Sequence, residues 1–132
     1  MRYILTILTI FTYSIVLPAQ DKQSENDVFV PIAKYLENGN ATNLSAWFAD
    51  NVELVIFGSR NNCSRNQAKQ IMRNFFINYT PNNFDVVHKS GNYPMKYAIG
   101  VLEGGGNEFK VTIFVKTTER GNHIQQLSIE KE

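Results

Sequence analysis

The chain has 132 residues, of which 43% are hydrophobic and 19% are charged, and its formal net charge is +1. This length supports one domain, the apolar fraction excludes wholesale disorder, and a charge near zero excludes the strong attraction to phosphates that nucleic-acid binding needs. A single cysteine excludes a disulfide framework within the chain.

Residues 1–19 have the layout of a secretory signal peptide. Arg2 precedes an apolar run that ends at Leu17, and polar residues follow soon afterwards. The alternative is a membrane anchor, but the run has about 15 residues, whereas a membrane-spanning helix needs about 20. The sequence therefore predicts cleavage after Ala19, one domain over residues 20–132, export to the periplasm or the extracellular space, and no membrane span after cleavage.

Two helices are predicted before the first strand. Ser24 suits the N-cap of a helix whose apolar residues recur every three or four positions and which ends at Gly39. Pro31 lies inside this window, so the regular helix begins near it or is kinked there. A second, shorter helix is expected to carry Trp47 and Phe48 on one side.

A strand, a loop and a third helix are predicted next. Residues 52–57 alternate as a strand does, and residues 58–63 form a polar loop. Ser64 and Gln67 make a capping box at the start of the third helix, which ends before Pro81.

The remainder of the chain predicts four strands, over residues 83–90, 94–103, 108–118 and 123–131. Glycine-containing turns join them into an antiparallel meander. The order helix, helix, strand, helix and meander is typical of an α+β fold with its helices gathered on one face of the sheet.

Counting across the hairpins assigns the strand side chains to two faces. The first hairpin aligns Ala98 with Ile113, and the register that burial favours in the next hairpin aligns Ile113 with Ile129. Alternation then predicts an apolar inner face made of Phe84, Val86, Ala98, Gly100, Leu102, Phe109, Val111, Ile113, Val115, Leu127 and Ile129.

The inner face is predicted to become polar at one end, where His88, Lys96, Thr117 and Gln125 lie. Polar groups beside an apolar floor are typical of a small-molecule pocket, and these four residues are candidates for binding a small apolar ligand. The favoured alternative is the solvated rim of a sheet, because strand ends are polar and wet by default.

The opposite, outer face is predicted to be more apolar than a solvated sheet surface requires. Tyr97, Ile99 and Phe114 lie there among lysines and threonines. This pattern indicates an interface with another chain, such as a symmetric dimer through the sheet. Scattered apolar surface residues are an equally weighted alternative, since they are common.

Known catalytic and metal-binding motifs do not occur in the sequence. The glycines at residues 104–106 lie between two strands, so they predict a hairpin turn and not a phosphate cradle. Cys63 lies near Arg60 and Arg65, which would lower its pKa, but a small turn residue is the favoured interpretation because no base or second cysteine accompanies it. The sequence therefore predicts no metal, no cofactor and no catalytic residue.

Several segments carry a resemblance to a known fold. The block at residues 47–54 and the helix over residues 67–76 resemble the first half of nuclear transport factor 2-like domains. The strand at 97–100 and the ending at 124–131 are similar to those of a family of short secreted bacterial proteins of unknown function. The resemblance covers residues 27–131 and implies a cone-shaped, cystatin-like α+β fold, with three N-terminal helices packed on a bent antiparallel sheet.

The resemblance leaves the function open, because relatives of this fold include isomerases and dehydratases as well as inert binding modules. No carboxylate lies on the predicted inner face, so the principal hypothesis is a non-catalytic module that binds a small apolar ligand or a protein partner. The alternative is an isomerase or dehydratase with His88 as general base and Lys96 or Gln125 as a polarising group. A third hypothesis is a protein contact through loop 58–63 or through the sheet edge.

Overall fold

The computed structural model describes residues 27–132. The predicted signal peptide at residues 1–19 and the Ser24 cap lie outside the described residues. Within residues 27–132, no helix is long and apolar enough to cross a membrane.

Three helices and six strands follow one another along residues 27–132. Two of the predicted helices are long, with 10 and 14 residues, and the one between them has 5 residues. The elements are α1 (Phe29–Asn38), α2 (Ala41–Ser45), β1 (Phe48–Ile56), β2 (Ser59–Ser64), α3 (Arg65–Asn78), β3 (Pro81–Asn92), β4 (Met95–Gly104), β5 (Asn107–Thr118) and β6 (Gly121–Lys131).

Local sequence explains where the long helices begin and end. Pro31 lies in the first turn of α1, where its missing N–H is not needed. Gly39 ends α1 with a φ of 66°, and its N–H donates to the Leu36 carbonyl at 3.2 Å. Ser64 caps α3, since its hydroxyl oxygen accepts from the Gln67 amide at 3.1 Å. The predicted ends at Gly39 and Ser64 are confirmed.

The six strands form one sheet in the order β2-β1-β6-β5-β4-β3. Strands β3 to β6 are the predicted antiparallel meander. The expectation of a wholly antiparallel sheet is wrong at one pair, because β1 runs parallel to β6 and Leu54 lies opposite Leu127. Parallel neighbours need a long crossover, and here α3 and the meander supply it.

Two predicted elements beside β1 are wrong. Trp47 and Phe48 do not extend α2, because Phe48 begins β1 opposite Ile124 and is fully buried there. Residues 58–63 do not form a loop, since most of them belong to β2, which pairs with β1 at the sheet edge. Cys63 is the one buried residue of β2. An exposed edge strand of this kind lacks the apolar alternation by which a strand is recognised.

The β4–β5 hairpin has the predicted register, with Ala98 opposite Ile113. The predicted pairs between β5 and β6 are wrong by two positions, because Ile113 lies opposite Leu127 rather than Ile129. The chain turns through residues 119–120, one position earlier than the glycine suggested. A shift of two positions leaves each side chain on its own face, so the inner face keeps its predicted members here.

Among the register shifts of the sheet, two β-bulges, between Val86 and His88 in β3 and between Ile124 and Gln126 in β6, reverse the alternation beyond them. In β6 the register shifts where it faces Phe114 and Val115, so Ile124 lies opposite Val115. Alternation from Leu127 had predicted Ile124 on the outer face, and this is wrong, since Ile124 is fully buried. Gln125 is the extra residue of this bulge.

Helices α1 and α3 cover the inner face of the sheet. The apolar residues of both helices and of the inner face are buried in one continuous core. Its fully buried side chains include Ile32, Leu36, Met72, Leu102, Phe109, Ile113, Leu127 and Ile129. Burial of these side chains is the main favourable contribution to folding.

Gly100→Ala is expected to lower the free energy of unfolding by about 3 kcal/mol. A Cβ atom at this position would meet the Phe84 ring at 2.4 Å and the Asp85 carbonyl oxygen at 2.7 Å. Gly106→Ala is the control, because it meets open space and carries only the cost of its φ of 81°, about 1 kcal/mol. Urea unfolding followed by circular dichroism measures both, and equal losses would contradict the close approach at Gly100.

Candidate functional site

The inner face of the sheet is filled by the core. Ala98, Leu102 and Ile113 have no exposed surface. None of these three residues lines any of the cavities described for residues 27–132. The candidate sites of this part of the chain therefore lie on the outer face and around the ends of the sheet.

His88 does not lie on the inner face, so that prediction is wrong. The register of β3 shifts between Val86 and His88, which turns His88 to the outer face opposite Ile99. Its side chain is exposed, and its ring centroid lies 5.9 Å from that of Tyr97. The bulge adds one residue, and one residue is enough to exchange the two faces of a strand.

The other three candidate ligand residues lie in two places. Lys96 is half-buried opposite Val115, and Thr117 lies on the same face at the same end of the sheet. The Thr117 hydroxyl donates to Asn122 Oδ1 at 2.5 Å, so it is already bonded within its own hairpin. Gln125 instead lines a separate polar cavity. The four residues therefore do not converge on one pocket.

A polar cavity of about 440 Å³ lies where β1, α3 and the β5–β6 turn meet. Arg65 Nη2 donates to Asp50 Oδ1 at 3.0 Å, and Arg65 Nε donates to the Phe48 carbonyl at 3.1 Å. Arg120 lies 3.9 Å from the other oxygen of Asp50. No sequence pattern marks this group, because its members come from three distant segments. The cavity is lined by Ala49, Asp50, Arg65, Thr118, Glu119, Arg120, His123 and Gln125.

The outer face carries a group of half-exposed apolar side chains together with the exposed His88 ring, here called the outer-face patch. It comprises His88, Tyr97, Ile99, Val101 and Phe114, which lie on the adjacent strands β3, β4 and β5. Tyr97 lies directly opposite Phe114, with their ring centroids 5.6 Å apart. The predicted interface residues therefore share one face and lie side by side.

A second cavity, of about 570 Å³, lies at the β1–β2 turn. Phe57 and Tyr79 supply its aromatic walls, and Val55, Gly58, Glu130 and Lys131 complete the lining. Phe57 is 45% exposed. The predicted first strand ends at Phe57, and no pattern in the sequence indicates that this residue lies against an aromatic cluster.

Cys63 is buried and has no disulfide partner. Burial raises the pKa of its thiol. The two arginines that could have lowered it pair elsewhere, since Arg60 bonds Glu53 at 2.6 Å and Arg65 bonds Asp50. The thiol itself lies 3.7 Å from the Asn61 carbonyl. These contacts favour a structural role for Cys63 over a reactive one.

The part of the chain that the structure describes holds no group of three or more His, Cys, Asp or Glu side chains able to bind a metal ion.

Comparison with known proteins gives both a family and a fold. The model of the family described as "Domain of unknown function (DUF4783)" matches residues 29–130. A DUF4783 family protein from Bacteroides uniformis is 24% identical, with a TM-score of 0.77, and the match covers 80% of this chain and 98% of that one. One from Bacteroides ovatus is 27% identical, with a TM-score of 0.74 and coverages of 76% and 92%.

A more distant structure supports the nuclear transport factor 2-like resemblance. An NTF-2 like protein of unknown function from Silicibacter pomeroyi is 12% identical, with a TM-score of 0.63, and the match covers 88% of this chain and 100% of that one. The search of curated proteins gave no match. The structural likeness therefore confirms the predicted fold family and carries no activity with it.

Arg65→Gln is expected to lower the free energy of unfolding by about 1 kcal/mol, because the guanidinium holds both a backbone carbonyl and a carboxylate. Arg120→Gln is the control, since its side chain is 83% exposed and 3.9 Å from Asp50, and its effect is expected to stay within about 0.5 kcal/mol. Urea unfolding measures both. A larger loss for Arg120→Gln would show that the Asp50 group is not organised by Arg65.

Cys63 is expected to react with a thiol reagent at pH 8 at least about tenfold more slowly in the native protein than in urea. Its raised pKa leaves a smaller thiolate fraction, and its side chain is shielded. The stability that depends on this shift is present below the pKa of the unfolded thiol and is lost as the pH rises above it. Cys63→Ala should abolish the reaction, and fast modification of the native wild-type protein would contradict the burial.

Proposed function

The chain belongs to the DUF4783 family, whose function is unknown, and from this premise we propose that it is a non-catalytic interaction module that binds a second copy of itself through the outer-face patch. The observation that carries the proposal is the pairing of Tyr97 with Phe114 on a half-exposed face, while the inner face is fully packed. Exposed apolar side chains in contact with one another are typical of interaction sites.

The position of the outer-face patch favours a flat partner surface. Most of its residues lie on β4 and β5, which are interior strands of the sheet. Helices α1 and α3 pack on the opposite face, so no helix among residues 27–132 covers the patch. A second sheet is a suitable partner, since two sheets pack face to face through interdigitated side chains.

A second copy of the chain is the occupant that we favour. A two-fold axis through the patch would bring each residue against the same surface of the other copy. The rim carries both signs of charge, with Lys110 and Lys116 on β5 and Glu130 on β6. Two copies can therefore set acidic against basic side chains, which favours one orientation of the pair.

The isomerase alternative has less support. A general base must lie within hydrogen-bond reach of a bound substrate. His88 is exposed on the outer face, whereas Lys96 is on the inner face and Gln125 lines the polar cavity. These three groups lack a common cavity among the described residues.

Export is a further part of the proposal. It rests on the charge, length and cleavage pattern of residues 1–19, which lie outside the described residues. Self-association through the outer-face patch does not depend on it.

Phe114→Glu is expected to weaken self-association at least about tenfold, because it sets a charge in the middle of an apolar contact. Ile77→Glu is the matched control, since Ile77 is 69% exposed on α3, on the other side of the molecule. Sedimentation equilibrium of the purified wild-type and variant proteins gives the dissociation constants. A monomeric wild-type protein, or an equal loss in Ile77→Glu, would reject the outer-face patch as the interface.

A further inference from the structure

We propose that the cavity beside Phe57 binds a small aromatic anion, which packs against the Phe57 and Tyr79 rings with its charge beside Lys131. This binding site is separate from the outer-face patch, because no residue of the patch lines the cavity. The inference therefore goes beyond self-association and does not rest on it.

The backbone at Phe57 is the first observation. Phe57 has a φ of 53° and Gly58 has a φ of 85° in the two-residue turn between Ile56 and Ser59. Positive φ at both positions is the requirement of a type I′ turn, in which asparagine is preferred first and glycine second. A phenylalanine in this conformation is strained, and the contacts of its ring offset that cost.

The contacts of the Phe57 ring are the second observation. Its centroid lies 5.8 Å from that of Phe109, 5.9 Å from that of Tyr79 and 6.2 Å from that of Phe75. Phe109 and Phe75 are buried, whereas Phe57 keeps 45% of its surface exposed. One side of the ring therefore packs on the aromatic cluster, and a large part of it remains available to another aromatic group.

The space beside this ring is the third observation. The cavity of about 570 Å³ lies within the size range of small-molecule sites. A smaller cavity of about 380 Å³, also lined by Phe57 and Tyr79, lies towards α3. The two rings thus stand between two cavities, and a planar ligand can pack against them without moving the core.

The charge at the rim selects an anion. Lys131 lies opposite Phe109, which puts it on the same face of the sheet as the aromatic cluster. Glu130 also lines the cavity, but it lies on the other face of the sheet, opposite Lys110. Within residues 27–132, Lys131 forms no ion pair. Its ammonium group is therefore able to pair with a carboxylate or sulfonate on an aromatic ring.

Benzoate is a suitable probe, and amide NMR spectra of the full mature chain can locate it. We expect saturable shifts of the amides at residues 55–58, 79, 130 and 131. Benzyl alcohol, which keeps the ring but not the charge, is expected to bind there more weakly, and acetate, which keeps the charge but not the ring, is expected to cause no saturable shift.

Two variants separate the ring from the charge. Phe57→Asn suits the turn and removes the ring, so it is expected to weaken benzoate binding about tenfold while the protein stays folded. Lys131→Gln is expected to weaken benzoate binding about threefold and to leave the binding of benzyl alcohol unchanged. Lys34→Gln on α1 is the matched control, since Lys34 is exposed and does not line the cavity, and it is expected to change the binding of neither ligand.

Tyr79→Leu tests the other wall of the cavity and replaces Phe57→Asn should that variant unfold. It is expected to weaken benzoate binding several-fold, because one of the two stacking rings is lost. The proposal is overturned if benzoate causes no saturable shift, if the shifts lie on the outer face, or if Lys34→Gln weakens binding as much as Lys131→Gln. The Phe114→Glu variant, which tests self-association, should bind benzoate as the wild-type protein does.

Discussion

Packing of α1 and α3 onto the inner face of the sheet is the contact on which the other features of this protein depend. Met72 on α3 and Leu102 and Ile113 on the sheet are fully buried in that contact. Because residue 100 is glycine, the Phe84 ring lies closer to its backbone than a Cβ atom would allow. An interior packed so closely leaves no room for a ligand among these residues. Binding surfaces must then be sought outside the layer between helices and sheet, which is where the outer-face patch and the Phe57 cavity lie.

The two bulges decide which polar groups face which surface. In β3 one extra residue turns His88 outward to the Tyr97 ring, and in β6 the bulge buries Ile124 and directs Gln125 to the polar cavity. Each bulge exchanges the faces of the residues that follow it without adding or removing any polar group. A cluster that looked convergent from simple alternation is therefore spread over two faces and one edge.

Ion pairs on the strands around β2 determine the surroundings of Cys63. Arg60 is held by Glu53 and Arg65 by Asp50, so neither guanidinium is directed to the buried Cys63. Burial then dominates, and it raises the pKa of the thiol. The outer-face patch includes the Tyr97 and Phe114 rings, and aromatic side chains are the ones that most often anchor a partner. This supports an interaction module more than an enzyme.

Sequence alone determined the features that depend on neighbouring residues. Gly39 and Ser64 mark helix ends through local hydrogen bonds, and the turn at residues 104–106 sets the β4–β5 register, because these signals lie within a few residues of the structure they produce. Tertiary structure decided the parallel pairing of β1 with β6, the edge strand β2 and both bulges. Those features depend on segments far apart in the chain, whose pairing is selected by the packing of the whole core and leaves no local pattern to read.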